Sequence, residues 1–503
     1  MYLVKKIHTK RNFWLIVVFC ILAMLAIGDR PVYAQADTTL YLHGQLVPNP
    51  QYPKWLVRWD SVSHNHEPVM IVGPGDPESF LFLDKREEMI DRIAEYGGDC
   101  LYIMADATGD TKGAEAYVNG DARQGYEPET LDDWERVLSK ADSNNIVIVF
   151  FFYDDDINPF GTSYTVSEDE ERNIKQLVQR FDHLKNLVWV QGEEATEKKN
   201  HLRGKDWADK VRQYDRHDHI IGMHAFSMMD GSQFREAVKY FGAADASNVE
   251  QLTAKCSTAD EDAYHNCIVN MFEQFRPDMH VNISENTRSG RDDEWRTLMW
   301  SGTMGGAAIH MQLRTDILNA KDQELIDYRN MKNFFEATDF TLTVPKDEVI
   351  SGDTKYALAG GDSVFIGWSK TASSAMGFSG MKTGVYSLKW YDVVTGEMSY
   401  EDSVEVTSAE TTFPLPDGLS GEVALYARLG VFADTAEVVG VSQIGINKHV
   451  QSNGYQKAVF MNGATIDVKD QNIMLYDIEG KAVPASVVHN GKLNGVYFIK
   501  QNK

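Results

Sequence analysis

Ile146-Val147-Ile148-Val149-Phe150-Phe151-Phe152 is followed by an amphipathic stretch over residues 168–182 and then by Leu187-Val188-Trp189-Val190-Gln191. A seven-residue apolar run is strand-sized. The segment after it opens with Ser167 and, three residues on, Glu170, a helix-start signal. A second apolar run at once predicts a strand–helix–strand unit with parallel strands.

The same alternation continues on both sides. Strands are predicted at Val69–Gly73, Cys100–Met104, Ile146–Phe152, Leu187–Gln191, His219–His224, Ala243–Asn248, His280–Ser284 and Ala307–Met311. Helices are predicted near 84–96, 130–143, 168–182, 205–214, 232–241, 259–275, 291–303 and 321–336. Eight such units over roughly 270 residues fit a (β/α)8 barrel. A doubly wound sheet would want a glycine-rich phosphate loop after its first strand, and Gly73-Pro74-Gly75-Asp76-Pro77 is a poor one.

Beyond residue 341 the texture changes to short strands separated by Gly, Ser and Asp turns: Tyr356–Leu358, Ser363–Trp368, Val385–Tyr391, Thr411–Pro414 and Glu422–Ala427. This pattern predicts a small β-sandwich. The expected division is a signal peptide over 1–34, the barrel over 38–340, the sandwich over 341–430, a linker over 431–443 and a β-rich module over 444–503.

The first 34 residues place Lys5, Lys6, Lys10 and Arg11 before the apolar run Phe13–Ile27 and end in Val32-Tyr33-Ala34. That order is the pattern of a cleaved secretory signal. The alternative, an uncleaved anchor, needs about 20 apolar residues, and Asp29, Arg30 and Pro31 stop the run early. Cleavage would remove five basic residues and one acid, moving the formal charge from −25 to −29. A chain this acidic repels nucleic acid and anionic lipid. Cys20 leaves with the signal. Of Cys100, Cys256 and Cys267, the last two are placed for a local disulfide in an oxidising compartment, or stand as two buried thiols. No CxxC or histidine pair has zinc spacing, and Asp154-Asp155-Asp156 lacks a calcium-loop spacing, so neither metal nor cofactor is expected.

Sites of (β/α)8 barrels lie at the C-terminal strand ends. The fourth strand delivers Glu193-Glu194 there, and the seventh delivers Glu285. Two carboxylates on one rim are what glycosidic bond cleavage requires, one as proton donor and one facing the anomeric carbon. Glu194 is assigned as acid/base and Glu285 as nucleophile; the bland alternative pairs Glu193 and Glu194 with Arg or Lys of neighbouring loops, and Glu285 with Arg288 or Arg291. Sugar contacts are expected from Glu193, Asp106, Tyr153, Asp154, His224, Phe226 and His310, polar or aromatic groups at other strand ends. The expected partner is an oligo- or polysaccharide. The competing class is a non-catalytic carbohydrate-binding surface protein on a degenerate barrel. An inverting enzyme would need a wider carboxylate separation, and no GxSxG elbow supports a serine hydrolase.

Val188-Trp189-Val190-Gln191-Gly192-Glu193-Glu194 resembles the fourth-strand motif of clan A glycoside hydrolases, whose terminal Glu is the acid/base. Residues 40–430 more specifically resemble the apiosidase-like hydrolases related to glycoside hydrolase family 140. The counterparts are Ile283-Ser284-Glu285, Trp295-Arg296, the glycine-rich Gly302-Thr303-Met304-Gly305-Gly306-Ala307, Trp390-Tyr391-Asp392 and Val423-Ala424-Leu425-Tyr426. The resemblance implies a retaining glycosidase with Glu194 and Glu285 in the catalytic positions. This chain departs from it in having Glu193 where the clan has Asn or Gly, and Glu194 where the nearer relatives have Asp. Ile473–Lys481 followed by Leu493–Lys500 resembles the C-terminal sorting domain of type IX secretion. That implies export through the type IX machinery to the cell surface or beyond.

Overall fold

The computed structural model describes residues 40–75, 80–106, 115–154, 157–196, 199–224, 239, 248–254, 256, 260–284, 292–313 and 317–430, with the strands at 457–465, 473–476, 482–483 and 492–501. Eight parallel strands form one sheet: β4 (Ile71–Gly75), β5 (Cys100–Met104), β6 (Val147–Tyr153), β7 (Leu187–Gly192), β8 (Ile220–His224), β9 (Gln251–Ala254), β10 (His280–Ile283) and β11 (Ala307–Leu313). The ladder runs in sequence order from β5 to β11, and β11 pairs with β4 through Ile309 and Ile71. The remaining seam is closed at Asp99, whose backbone N–H donates to the Val72 carbonyl and whose carboxylate accepts the Val72 N–H, both at 3.1 Å. The result is the expected (β/α)8 barrel.

Helices α1 (Arg86–Tyr96), α2 (Pro128–Ser143), α3 (Glu168–Phe181), α4 (Gly204–Tyr214), α5 (Glu261–Gln274), α6 (Asp292–Met304) and α7 (Asp322–Glu336) surround it. The helix expected near 232–241 falls almost wholly outside the described residues. Phe150, Phe152 and Trp189 face this outer layer. Phe152 meets Trp207 of α4 edge-on at 5.0 Å, and Phe150 meets Trp189 at 5.7 Å. Ser167 caps α3 by accepting the Glu170 N–H. The Glu170 carboxylate also accepts from the Tyr153 hydroxyl and from Arg203 Nε.

The sixth strand corrects the expectation of Ala243–Asn248. The strand is Gln251–Ala254, whereas Asn248 precedes it and 243–247 lie outside the described residues. A search for an apolar run misses it because its lumen-facing residues are polar. Gln251 Oε1 accepts from His280 Nε2 at 2.9 Å, and Gln251 Nε2 donates to Thr253 Oγ1 at 3.0 Å. Burial lowers the pKa of His280 to about 3, so it is neutral.

Cys256, just past β9, is disulfide-bonded to Cys267 of α5 with Cα atoms 6.3 Å apart, while Cys100 is a buried free thiol. Ahead of the barrel, β1 (Leu46–Pro48), β2 (Leu56–Asp60) and β3 (Asn65–Pro68) form a small antiparallel sheet that the sequence reading did not foresee. It covers the N-terminal end of the barrel: Leu46 N–H donates to Lys185 O, Arg58 donates to Asn145 O, and the Trp55 indole donates to Thr343 O at 2.7 Å.

The following strands form two sheets. One has the order β12-β14-β15-β20-β17-β18, from β12 (Val344–Pro345), β14 (Tyr356–Gly360), β15 (Val364–Ala372), β17 (Gly384–Asp392), β18 (Met398–Val406) and β20 (Gly421–Leu429). The other is β13 (Ile350–Gly352), β16 (Ala375–Phe378) and β19 (Thr411–Pro414). Phe365, Phe378, Trp390 and Leu425 share their core. Strand β18 was not expected because Met398-Ser-Tyr-Glu-Asp-Ser-Val-Glu-Val406 is largely exposed and acidic. The sandwich is keyed to the barrel by Arg296 of α6, which donates to both Glu422 oxygens at 2.9 and 2.7 Å and to Asp327 of α7 at 3.2 Å.

Residues Phe432–Lys503 form a separate compact unit. Its described strands, β21 (Lys457–Thr465), β22 (Ile473–Tyr476), β23 (Ala482–Val483) and β24 (Lys492–Gln501), make an antiparallel sheet in the order β21-β24-β22-β23. Among the described residues no helix is long and apolar enough to cross a membrane.

Candidate active site

Strand β7 ends in Gly192, and the chain then turns through Glu193 and Glu194. Gly192 lies where an added Cβ would press on the Tyr153 backbone, and Glu193 N–H donates to the Tyr153 carbonyl at 2.9 Å. Glu194 has φ +38°, left-handed backbone that a β-carbon disfavours. Strain of this kind persists only where neighbouring bonds over-determine it. Here those bonds come from β8: Glu194 N–H donates to His224 Nδ1 at 3.1 Å, and Ala195 N–H donates to the His224 carbonyl at 3.0 Å.

An Nδ1 that accepts a backbone N–H carries no proton, so a neutral His224 bears its hydrogen on Nε2. Nε2 faces the Ser284 hydroxyl at 3.4 Å. Ser284 ends the run of β10 and is the residue before Glu285. One buried imidazole therefore spans from the main chain of Glu194 to the side chain next to Glu285. His224 and Ser284 are fully buried, and Glu193 and Glu194 are only 4% and 5% exposed. Glu285 itself lies outside the described residues, as do Phe226, Arg288 and Arg291.

Asp106, after β5, accepts the Tyr117 hydroxyl at 2.8 Å, and burial pushes its carboxyl up to about 6 against that hydrogen bond. It stands on the same rim as the fourth-strand turn. Asp154 is fully buried just past β6.

Two expected contacts are placed elsewhere. Tyr153 is buried with its hydroxyl donating to Glu170 of α3 at 2.9 Å and its ring 5.9 Å from the Arg203 guanidinium, so it is a strut between strand and helix. His310 is in register with Ile283 of the outer layer and faces the helices: its Nε2 meets the Tyr264 hydroxyl of α5, and Trp295 of α6 packs edge-on at 5.3 Å. Period-two alternation turns His310 away from the lumen, and burial lowers its pKa to about 3.

Ser284 and the Glu170–Arg203 pair were missed. Ser284 carries no distinguishing sequence signal. Glu170 was visible, but as a capping-box residue. Among the described residues no group of three or more His, Cys, Asp or Glu is placed to hold a metal ion.

No family model and no curated protein sequence matches the chain. Solved structures do match its fold. One described as a glycoside hydrolase superposes with TM-score 0.56 at 13% identity, covering 79% of this chain and 99% of that one. A glycoside hydrolase family 5 structure from Bacteroides vulgatus gives TM-score 0.56 at 14% identity, covering 79% and 96%. At these identities the likeness is one of fold alone, over about four fifths of this chain.

Proposed function

We propose that the chain is a glycoside hydrolase acting on oligo- or polysaccharides by a retaining double displacement, with Glu194 as acid/base and Glu285 as nucleophile. The observation that carries this reading is the His224 bridge. It links the strained backbone of Glu194 to the residue before Glu285, so the two carboxylate-bearing strand ends share one buried anchor. Retaining chemistry wants carboxyls about 5–5.5 Å apart, and a rigid tie between the strand ends serves that requirement.

In the first step the protonated Glu194 gives its proton to the glycosidic oxygen as that bond breaks. The Glu285 carboxylate forms the new bond to the anomeric carbon. In the second, Glu194 takes a proton from water, which attacks the anomeric carbon and releases Glu285. Two neighbouring carboxyls hold their pKa values apart, leaving one protonated and one ionised. Glu193 and Asp106 are placed in this reading as contacts to sugar hydroxyls.

The finer parts of the proposal rest on sequence resemblance. They are an apiosidase-like specificity for residues 40–430, a cleaved signal over 1–34, and a sorting role for 444–503 in type IX export, which would place the enzyme outside the cell.

The test is hydrolysis of aryl glycosides and of plant, algal and host polysaccharides by wild type, Glu194→Gln and Glu285→Gln, with the product anomer followed by NMR. Turnover with retention, lost in both variants, is the expected result. Binding of a glycan without turnover would favour a carbohydrate-binding protein on the same barrel, and full activity in either variant would refute the assignment.

A further inference from the structure

Arg203 immediately precedes α4 and is fully buried, as is its partner Glu170 of α3, the side chains being 0% and 1% exposed. Its Nε donates to Glu170 Oε1 at 2.8 Å. Nη1 donates to the Gly161 carbonyl at 3.1 Å, and Nη2 reaches Asn158 Oδ1 at 3.2 Å and Asn200 Oδ1 at 3.0 Å. Gly161 and Asn158 belong to the loop that follows β6. Asn200 belongs to the loop that follows the Glu193–Glu194 turn. One guanidinium thus holds two rim loops on the helix that carries its counter-charge.

The second loop is clasped to the turn itself. Asn200 O accepts Gln191 Nε2 at 3.1 Å, and His201 meets the Ala195 carbonyl with both its N–H and its Nδ1 at 3.1 Å. Asn200 Nδ2 donates back across the gap to Ile157 O at 3.1 Å. Gln191 and Ala195 bracket the two glutamates. A displacement of the 199–203 loop is therefore a displacement of Glu194.

A buried ion pair adds little net stability, because the cost of taking both charges out of water offsets their attraction. What a guanidinium adds is direction, since its donors lie in one rigid plane and can address several acceptors at once. A lysine here would supply one point charge and could not span both loops.

We infer that Arg203 is a positioning residue that couples the 157–161 and 199–203 loops into one unit and thereby sets where Glu194 stands. The catalytic part of this inference rests on the glycosidase reading; the coupling of the loops does not.

Two readouts separate them. In Arg203→Lys, peptides covering 157–161 and 199–203 are expected to lose protection from hydrogen exchange together. On a substrate the wild type turns over, kcat is expected to fall about 100-fold, as for a misplacement near 1 Å, with KM changing far less. Tyr153→Phe removes only the hydroxyl that shares Glu170 Oε1, and is expected to move both readouts in the same direction by less; it serves if Arg203→Lys does not fold.

Loops that lose protection independently, or not at all, overturn the inference whether or not the wild type cleaves any glycan. Joint loss of protection with wild-type kcat in an active enzyme overturns the positioning role. A wild type without turnover on any glycan, with joint loss of protection, upholds the coupling and fails the glycosidase reading alone.

Discussion

His224 Nδ1 accepts the backbone N–H of Glu194 at 3.1 Å, which makes an imidazole on one strand the acceptor that holds a left-handed glutamate on the next. Replacing His224 by Ala leaves that N–H buried without its acceptor, at a cost of about 1–3 kcal/mol. Turnover is expected to fall about 100-fold as Glu194 relaxes. Urea unfolding and steady-state kinetics on the same preparation check both, and wild-type kcat would contradict the clamp.

Asp106 gives a pH signature with a definite sign. Its folded-state pKa is raised to about 6 from 3.8, so between those values the folded chain holds a proton that the unfolded chain has lost. Stability falls as pH rises through that window. Asp106→Asn cannot titrate, so its stability relative to wild type should climb from pH 4 to pH 6 and level off above, by up to about 3 kcal/mol. Denaturant titrations at pH 4, 5 and 7 measure it; a difference independent of pH would refute the shift.

Glu422→Ala should cost about 3 kcal/mol, since it removes the carboxylate that accepts two hydrogen bonds from a guanidinium only 8% exposed. Calorimetry is the check. Barrel and sandwich are expected to unfold as one transition in wild type and to separate in the variant.

Removing the Cys256–Cys267 bridge by Ser at both positions is expected to cost about 3 kcal/mol, the chain-entropy value for a loop of this size. Thermal unfolding with and without reductant tests it. Wild type should lose Tm on reduction while the double variant should not respond.

The barrel was legible because its outer face obeys the strand rule: Phe150, Phe152 and Trp189 sit on an apolar layer that pattern reading finds. The sixth strand was not, because Gln251 and Thr253 line a polar stretch of the lumen and break the apolar signature. At the rim, sequence position alone brought Glu194 and His224 forward. It could not tell them from Tyr153 and His310, since a residue at a strand end can point into the mouth or back between strand and helix. That choice is made by partners such as Glu170 and Tyr264, which lie 17 and 46 residues away. The N-terminal sheet was illegible for a related reason: its strands are short, and what holds them is contact with distant backbone.

That sheet also imposes an order in time. The Trp55 indole donates to the carbonyl of Thr343, 288 residues later in the chain. At ordinary elongation rates of 5–20 residues per second, roughly 15 to 60 s separate the synthesis of the two. Throughout that interval Trp55 exists without the seat its indole will occupy. The barrel is sealed from below only when nearly all of it has been made, so a polypeptide halted before residue 343 would present Trp55 to whatever chaperone attends it.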